Sequence, residues 1–223
     1  MQIDIILEPD LTTAQVAEIA VAAENYGFRT LWHSNYHQNP DAFVALVPAA
    51  LATTKIWLGV LAVSPYEMHP LKIANALLTL NEISNGRAVV AIGGGGSVMG
   101  ATGIKMDPRA QRMLRGVREC VEIVKQVTSG KFVQGYQGEL FKLSRPLKRG
   151  WAKAPKPGVF TCATGPKMRE LAGEILTNAK PVAAEASSSG SSRSTTSSRS
   201  VVRAPVTAGK VCPAPGAAFG SGW

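Results

Sequence analysis

The stretch Leu58–Gly96, LGVLAVSPYEMHPLKIANALLTLNEISNGRAVVAIGGGG, contains a complete strand, helix and strand in order. Trp57 to Val63 is an apolar run of strand length, followed by a Pro-bearing loop. Leu71 to Ile83 then repeats apolar residues at helical spacing. Asn85 and Gly86 supply turn chemistry before a second apolar run, Ala88 to Ile92, which ends in four glycines. Two buried strands joined by a helix pair in parallel, and a parallel sheet needs cover on both faces.

The same alternation extends to both sides. Gln2 to Leu7 reads as a strand, and Thr12 or Thr13 caps a helix in which Val16, Ile19, Ala20 and Ala23 recur up to Tyr26, with Gly27 ending it. Thr30 to His33 is the second strand and Asp41 to Ala52 the second helix, with Phe43, Leu46 and Val47 inward. Beyond the glycines a long helix is expected over Arg109 to Val127. A small hairpin of Lys131 to Val133 and Leu140 to Leu143 interrupts the alternation. Val159 to Cys162 resumes it as a fifth strand, and Lys167 to Glu174 begins a fifth helix. Two architectures accommodate this order, a doubly wound sheet and a closed α/β barrel. A full eightfold barrel takes about 250 residues, more than the 223 present.

Composition narrows the class. The chain is 45% hydrophobic and 17% charged, as expected of a globular protein. Its formal charge of +9 is uneven, because the segment after Glu174 holds five Lys/Arg against one Glu. From about Ala183 the sequence turns to SSSGSSRSTTSSRS and then to Pro, Ala and Gly, without the periodic apolar residues a core needs. Residues 1–175 are therefore expected to form the folded domain and 176–223 a disordered low-complexity tail. Cys120, Cys162 and Cys212 are odd in number and lack CxxC spacing, which argues against a disulfide framework and suits a reducing cytoplasm. The apolar start, Met1 to Leu7, lacks the features of a signal peptide, and no apolar run reaches the roughly 18 residues of a membrane span.

In parallel α/β folds ligands bind where strands end, so the chemistry is sought in Glu8–Asp10, Ser34–Asn39, Ala62–His69, Gly93–Gly103 and Ala163–Pro166. The glycine run lets a backbone approach a flat or phosphorylated ligand, yet matches neither GxGxxG nor GxxxxGK[ST]. Thr164, Gly165 and Pro166 at a helix start form either an anion site or an ordinary cap. His33 lies within a strand and reads as structural, whereas His37 and His69 fall in ligand-side loops. With no HExxH or related cluster, no metal is expected. Glu8, Asp10 and Glu67 are the acidic residues near the mouth, and spacing selects none of them as an acid or base. No nucleophile–base pair is legible.

Five stretches together resemble the luciferase-like flavin and deazaflavin oxidoreductases, in particular the branch containing coenzyme F420-dependent methylenetetrahydromethanopterin reductase. They are Ala22–Trp32 (AAENYGFRTLW), Leu58–Gly96, Arg115–Gly130 (RGVRECVEIVKQVTSG), Gly138–Leu143 (GELFKL) and Ala163–Glu174 (ATGPKMRELAGE). The resemblance spans residues 1–175 and implies a TIM (β/α)8 barrel, with a hairpin before the fifth strand and about five βα units present. It further implies a cis peptide between Leu61 and Ala62 backing the cofactor ring. Gly94 and Gly95 would lie beside the ring, with Asn35 also at the cofactor and Thr164, Gly165 and Pro166 at its phosphate. The implied cofactor is F420, with FMN and monooxygenase chemistry as the alternative, and the implied reaction is hydride transfer to or from a small organic substrate.

The chain departs from that pattern in two places. An Asp-His pair that some F420-dependent dehydrogenases carry after the second strand is here Asn35 and Tyr36, and their acid after the glycine loop is Gly96. The second departure is the Ser-rich tail in place of further βα units, which reads as truncation through a frameshift, with activity in doubt and a homodimer as one way to cover the open edges. The rival function is a non-enzymatic protein that binds nucleic acid or another acidic partner through its basic tail.

Overall fold

The computed structural model describes residues 2–103 and 112–177. Five parallel strands form one sheet in the order β1 (Asp4–Leu7), β2 (Thr30–Ser34), β3 (Trp57–Val63), β4 (Ala88–Ile92) and, after an inserted antiparallel hairpin, β7 (Gly158–Thr161). The register runs Asp4 to Thr30, Thr30 to Trp57, Leu58 to Ala88 and Val89 to Gly158. Helices α1 (Thr13–Asn25), α2 (Ala42–Ala45), α3 (Val47–Ala52) and α4 (Pro70–Ile83) occupy the crossovers; α5 (Gly96–Ala101) and α6 (Met113–Val127) follow β4, and α7 (Pro166–Thr177) follows β7. This is the strand-and-helix order of a (β/α)8 barrel, with five of its strands in the described residues.

Alternation along each strand separates two faces. Leu31, Leu58, Val60, Ala88, Val90 and Ile92 are fully buried in one cluster with Val16, Ala20, Ile73, Leu77, Val117 and Val124 from the helices. On the opposite face, Asp4, Thr30, Trp32, Trp57, Val89 and Phe160 line a cavity of about 350 Å³. Trp32 meets Phe160 edge to face, 5.8 Å between centroids.

The structure settles one boundary that the sequence reading left open and shifts several others, each for a local reason. Thr12 rather than Thr13 caps α1, in a reciprocal capping box with Gln15. The single helix expected over Asp41 to Ala52 divides at Leu46, because Pro48 has no N–H to return to Val44. A short helix, α5, stands in what reads as a plain glycine loop. Arg112 is left-handed (φ 45), so α6 begins at Met113; the expected start, residues 109–111, lies outside the described residues. The hairpin pairs β5 (Tyr136–Gln137) with β6 (Lys142–Leu143), while Val133, expected in its first strand, bridges to Leu147. Helix α7 continues past residue 175 to Thr177, and the tail from 178 onward lies outside the described residues.

Candidate functional site

The carboxyl ends of β2, β3, β4 and β7 converge on a cleft of about 510 Å³. Its polar lining comes from Ser34, Asn35, Tyr36, Ser97 and Thr164. The apolar lining comes from Leu61, Ala62, Met113, Cys162 and Met168, with the four glycines Gly93 to Gly96 between them.

Hydrogen bonds tie the loops into one wall. Asn35 donates its backbone N–H to the Leu61 carbonyl (2.8 Å) and its side-chain amide to the Ala62 carbonyl (3.2 Å), joining the loop after β2 to the end of β3. The peptide between Leu61 and Ala62 is cis, and the β3–β4 register shifts between Leu61 and Val63. The Ser64 hydroxyl donates to the Gly94 carbonyl (3.2 Å), and Gly93 N–H donates to the Val63 carbonyl (2.9 Å), joining β3 to the glycine loop.

Gly95 is required by this packing, and Gly94 is closely covered by it. Gly95 is left-handed (φ 73), and a Cβ there would run into the Ser64 side chain. A Cβ on Gly94 would meet the Met113 thioether. The glycine run therefore keeps its side of the cleft flat because neighbouring protein occupies the space that side chains would need.

Six of the eight residues that the sequence singles out line this cleft: Asn35, Leu61, Ala62, Gly94, Gly95 and Thr164. Gly165 and Pro166 stand behind Thr164 and outside the lining; Pro166 opens α7, and the Gly165 carbonyl accepts from Arg169 N–H (3.0 Å). Ser34 and Cys162 were available to sequence reasoning as residues at or just past strand ends. Met113 and Met168 arrive from helices far along the chain and carry no local signal.

A second cavity of about 400 Å³ shares Asn35 and Tyr36 with the first and is bounded further by His37, Asp41, Tyr66 and Glu67. Of the three acidic candidates, Glu8 and Asp10 are exposed, whereas Glu67 is half-buried at this cavity. Glu67 Oε1 accepts from the Asn35 amide (2.7 Å) and from Ser64 N–H (3.1 Å). Burial pushes the Glu67 carboxyl above the ordinary range and the nearby Asp41 charge adds to this, outweighing the two hydrogen bonds that favour the charged form.

The histidines separate by role. His33 is fully buried with Nδ1 at 2.8 Å from the Ser34 carbonyl, a structural position. His69 caps α4, accepting from Leu71 N–H (3.1 Å), and stacks edge-on against Phe141, so it belongs to the scaffold. His37 borders the second cavity. Among the described residues no group of three His, Cys, Asp or Glu is arranged to hold a metal, and no helix is long and apolar enough to cross a membrane.

Comparison with known proteins fits this geometry. The sequence model of the luciferase-like monooxygenases matches residues 4–188. The 5,10-methylenetetrahydromethanopterin reductase of Archaeoglobus fulgidus is 36% identical over 175 residues, 78% of this chain and 51% of that protein. An F420-dependent glucose-6-phosphate dehydrogenase of Kineococcus radiotolerans is 30% identical over 169 residues, 71% of this chain and 49% of that one. In three dimensions the coenzyme F420-dependent tetrahydromethanopterin reductase of Methanopyrus kandleri superposes with a TM-score of 0.64 at 29% identity, covering 78% of this chain and 53% of that one. The chain thus spans about half the length of the curated relatives it matches. With five parallel strands, the inserted hairpin and a cleft at the strands' carboxyl ends, the chain belongs to the luciferase-like monooxygenase family.

Proposed function

We propose that this chain carries the cofactor cleft of an oxidoreductase that moves a hydride between a small organic substrate and a deazaflavin of the coenzyme F420 type. The observation that carries the reading is the cleft itself, whose volume lies in the range of small-molecule sites. Leu61 and Ala62 back a planar ring, Gly94 and Gly95 leave its side free of side chains, and Asn35 holds the backing strand in place. Thr164 and Gly165 face the opening of α7, whose twelve residues turn their positive end toward a phosphate. A Cβ on Gly165 would meet nothing within 4 Å, so there is room for that group, and Pro166 presets the first turn. The deazaflavin, when bound, supplies the two-electron chemistry; the protein's part is to orient it and exclude water. The relatives named as F420-dependent enzymes support this cofactor.

The test is a fluorescence titration of the purified chain with F420 and, separately, with FMN. Saturable F420 binding that weakens at least tenfold in Gly165→Trp is the expected result. Binding of FMN alone reassigns the site to the flavin monooxygenase branch, and binding of neither overturns the reading.

A further inference from the structure

Among the described residues the helices cover one face of the sheet and leave the other open. All five strands contribute to a single hollow on that open face: Asp4 from β1, Trp32 from β2, Trp57 from β3, Val89 from β4 and Phe160 from β7. One hollow reached by both edge strands makes the face concave, an arc of barrel wall rather than a flat sheet. Trp57 and Phe160 are 38% and 46% exposed, and Ile6, on the same side of β1 as Asp4, is 56% exposed. A contiguous apolar surface of this kind marks a protein contact. The edges are open as well: among the described residues β1 and β7 each pair on one side only. Along Gly158–Thr161, β7 has no charge or proline, and its register with β4 has no bulge, so nothing guards that edge against a further strand.

We propose that two copies of this chain close on each other, inner face to inner face, with β7 of each copy beside β1 of the other, so that ten parallel strands form one barrel. The inference stands apart from the cofactor reading.

Three observations select a second copy as the occupant. The first is symmetry. A half-turn about the axis of the arc brings β1 of the other copy beside β7, and β7 of the other copy beside β1, with every strand still parallel. One operation covers both inner faces and leaves no free edge.

The second is charge. The chain carries a formal +9, yet the charged residues of the hollow are Asp4 and Arg29, which neutralise each other through two hydrogen bonds of 2.8 and 2.6 Å. This face therefore meets its own copy without like-charge repulsion and offers an acidic macromolecule no free cation.

The third is size. The chain spans 51% of the Archaeoglobus fulgidus reductase, so two copies bring the length of one such protein. Ten strands enclose a wider interior than eight. Each copy brings two indoles and a phenyl to fill it, where an eight-stranded barrel is filled mainly by Val, Ile and Leu. Two glycines make room for these rings: a Cβ on Gly59 would run into Trp32, and one on Gly158 would meet Val89 and Phe160.

Sedimentation equilibrium of the intact chain from about 1 to 100 μM tests the proposal, with twice the chain mass expected by about 10 μM. Phe160→Lys and Trp57→Lys each place an ammonium inside the closed barrel at a site that is exposed in one copy. Each is expected to weaken the dimer at least 100-fold with an unchanged circular dichroism spectrum. Leu51→Lys, on α3 among the helices and 74% exposed, is expected to leave the mass unchanged. Hydrogen exchange needs no variant and decides the matter if the lysine variants fail to fold. In wild type the amides of Ile5 to Leu7 and of Val159 to Thr161 are expected to slow together, about tenfold or more, as concentration rises. A chain that is monomeric at 100 μM overturns the proposal. So does a dimer that survives both folded lysine variants, one that Leu51→Lys dissociates instead, or one whose β1 and β7 amides ignore concentration. Masses that rise without limit mean edges that pair without closing, and also overturn it.

Discussion

Glu119 and Glu67 are both carboxylates that hold loops, and they sit in opposite electrostatic situations. The Glu119 side chain on α6 is 1% exposed and accepts N–H bonds from Glu139, Leu140 and Phe141, while the Arg115 guanidinium binds it at 2.9 Å. Burial works against its charge, yet those four donors together hold its carboxyl below the usual range. Among the described residues Glu67 has two donors, no cationic partner, and Asp41 nearby, and is pushed the other way. Glu24 and Glu82 follow the Glu119 pattern in their contacts: Glu24 receives N–H from Thr54, Lys55 and Ile56, and Glu82 from Lys153 and Ala154. Glu119, Glu24 and Glu82, away from the mouth, each take two or more backbone donors and fasten loops to helices. At the mouth, Glu67 has fewer backbone donors, and burial shifts its carboxyl upward instead.

The contrast breaks most visibly at the saturated end. Glu119→Ala leaves three backbone amides without an acceptor and removes one of the two carboxylate partners of Arg115, the other being Glu139. A loss of about 3–5 kcal/mol in unfolding free energy is expected, with the hairpin of β5 and β6 detaching from α6 first. Urea unfolding measures the loss, and hydrogen exchange at Glu139 to Phe141 locates it; unchanged protection there would mean that Glu119 does not fasten the hairpin.

That clamp shows what the sequence could and could not reveal. The strands were legible because β-branched and apolar residues run uninterrupted at Trp57–Val63 and Ala88–Ile92, and the strand ends pointed to the mouth without any knowledge of packing. Asn35, Ala62, Gly94 and Thr164 were found in this way, with the family resemblance choosing among mouth residues. Contacts set by tertiary packing were not legible. Nothing local relates Glu119 to residues about twenty positions later, or Asn35 to Glu67 thirty-two positions later. Glu8, Asp10 and Glu67 look equivalent as letters, and only the neighbourhood of Asn35, Ser64 and Asp41 distinguishes Glu67.

A smaller effect separates the two classes by acid titration. Glu119 and Glu24 have folded values below the ordinary 4.5, so the stability they add is fully present above that value and is lost as pH falls through the depressed folded values. In Glu119→Gln part of that acid loss disappears, because the group that must take up a proton is gone. Thermal unfolding from pH 6 down to pH 2.5 is expected to show a shallower decline in the variant than in wild type. Parallel curves would mean that the clamp does not depend on charge.

The smallest expected effect has the opposite sign and lies at the mouth. Because the folded Glu67 value is raised, its favourable contribution is present below 4.5 and is lost as pH rises through the folded value, where an ionised carboxylate remains half-buried beside Asp41. Gln at this position keeps an oxygen to accept from Asn35 and Ser64 and never ionises. Glu67→Gln should therefore match wild type near pH 4 and exceed it at pH 8, by less than about 1 kcal/mol given the solvent that reaches the group. Urea midpoints at the two pH values read this directly. A variant less stable than wild type at pH 8 would make Glu67 another loop fastener, equivalent to Glu119, and would remove the electrostatic basis for treating the mouth as different from the scaffold.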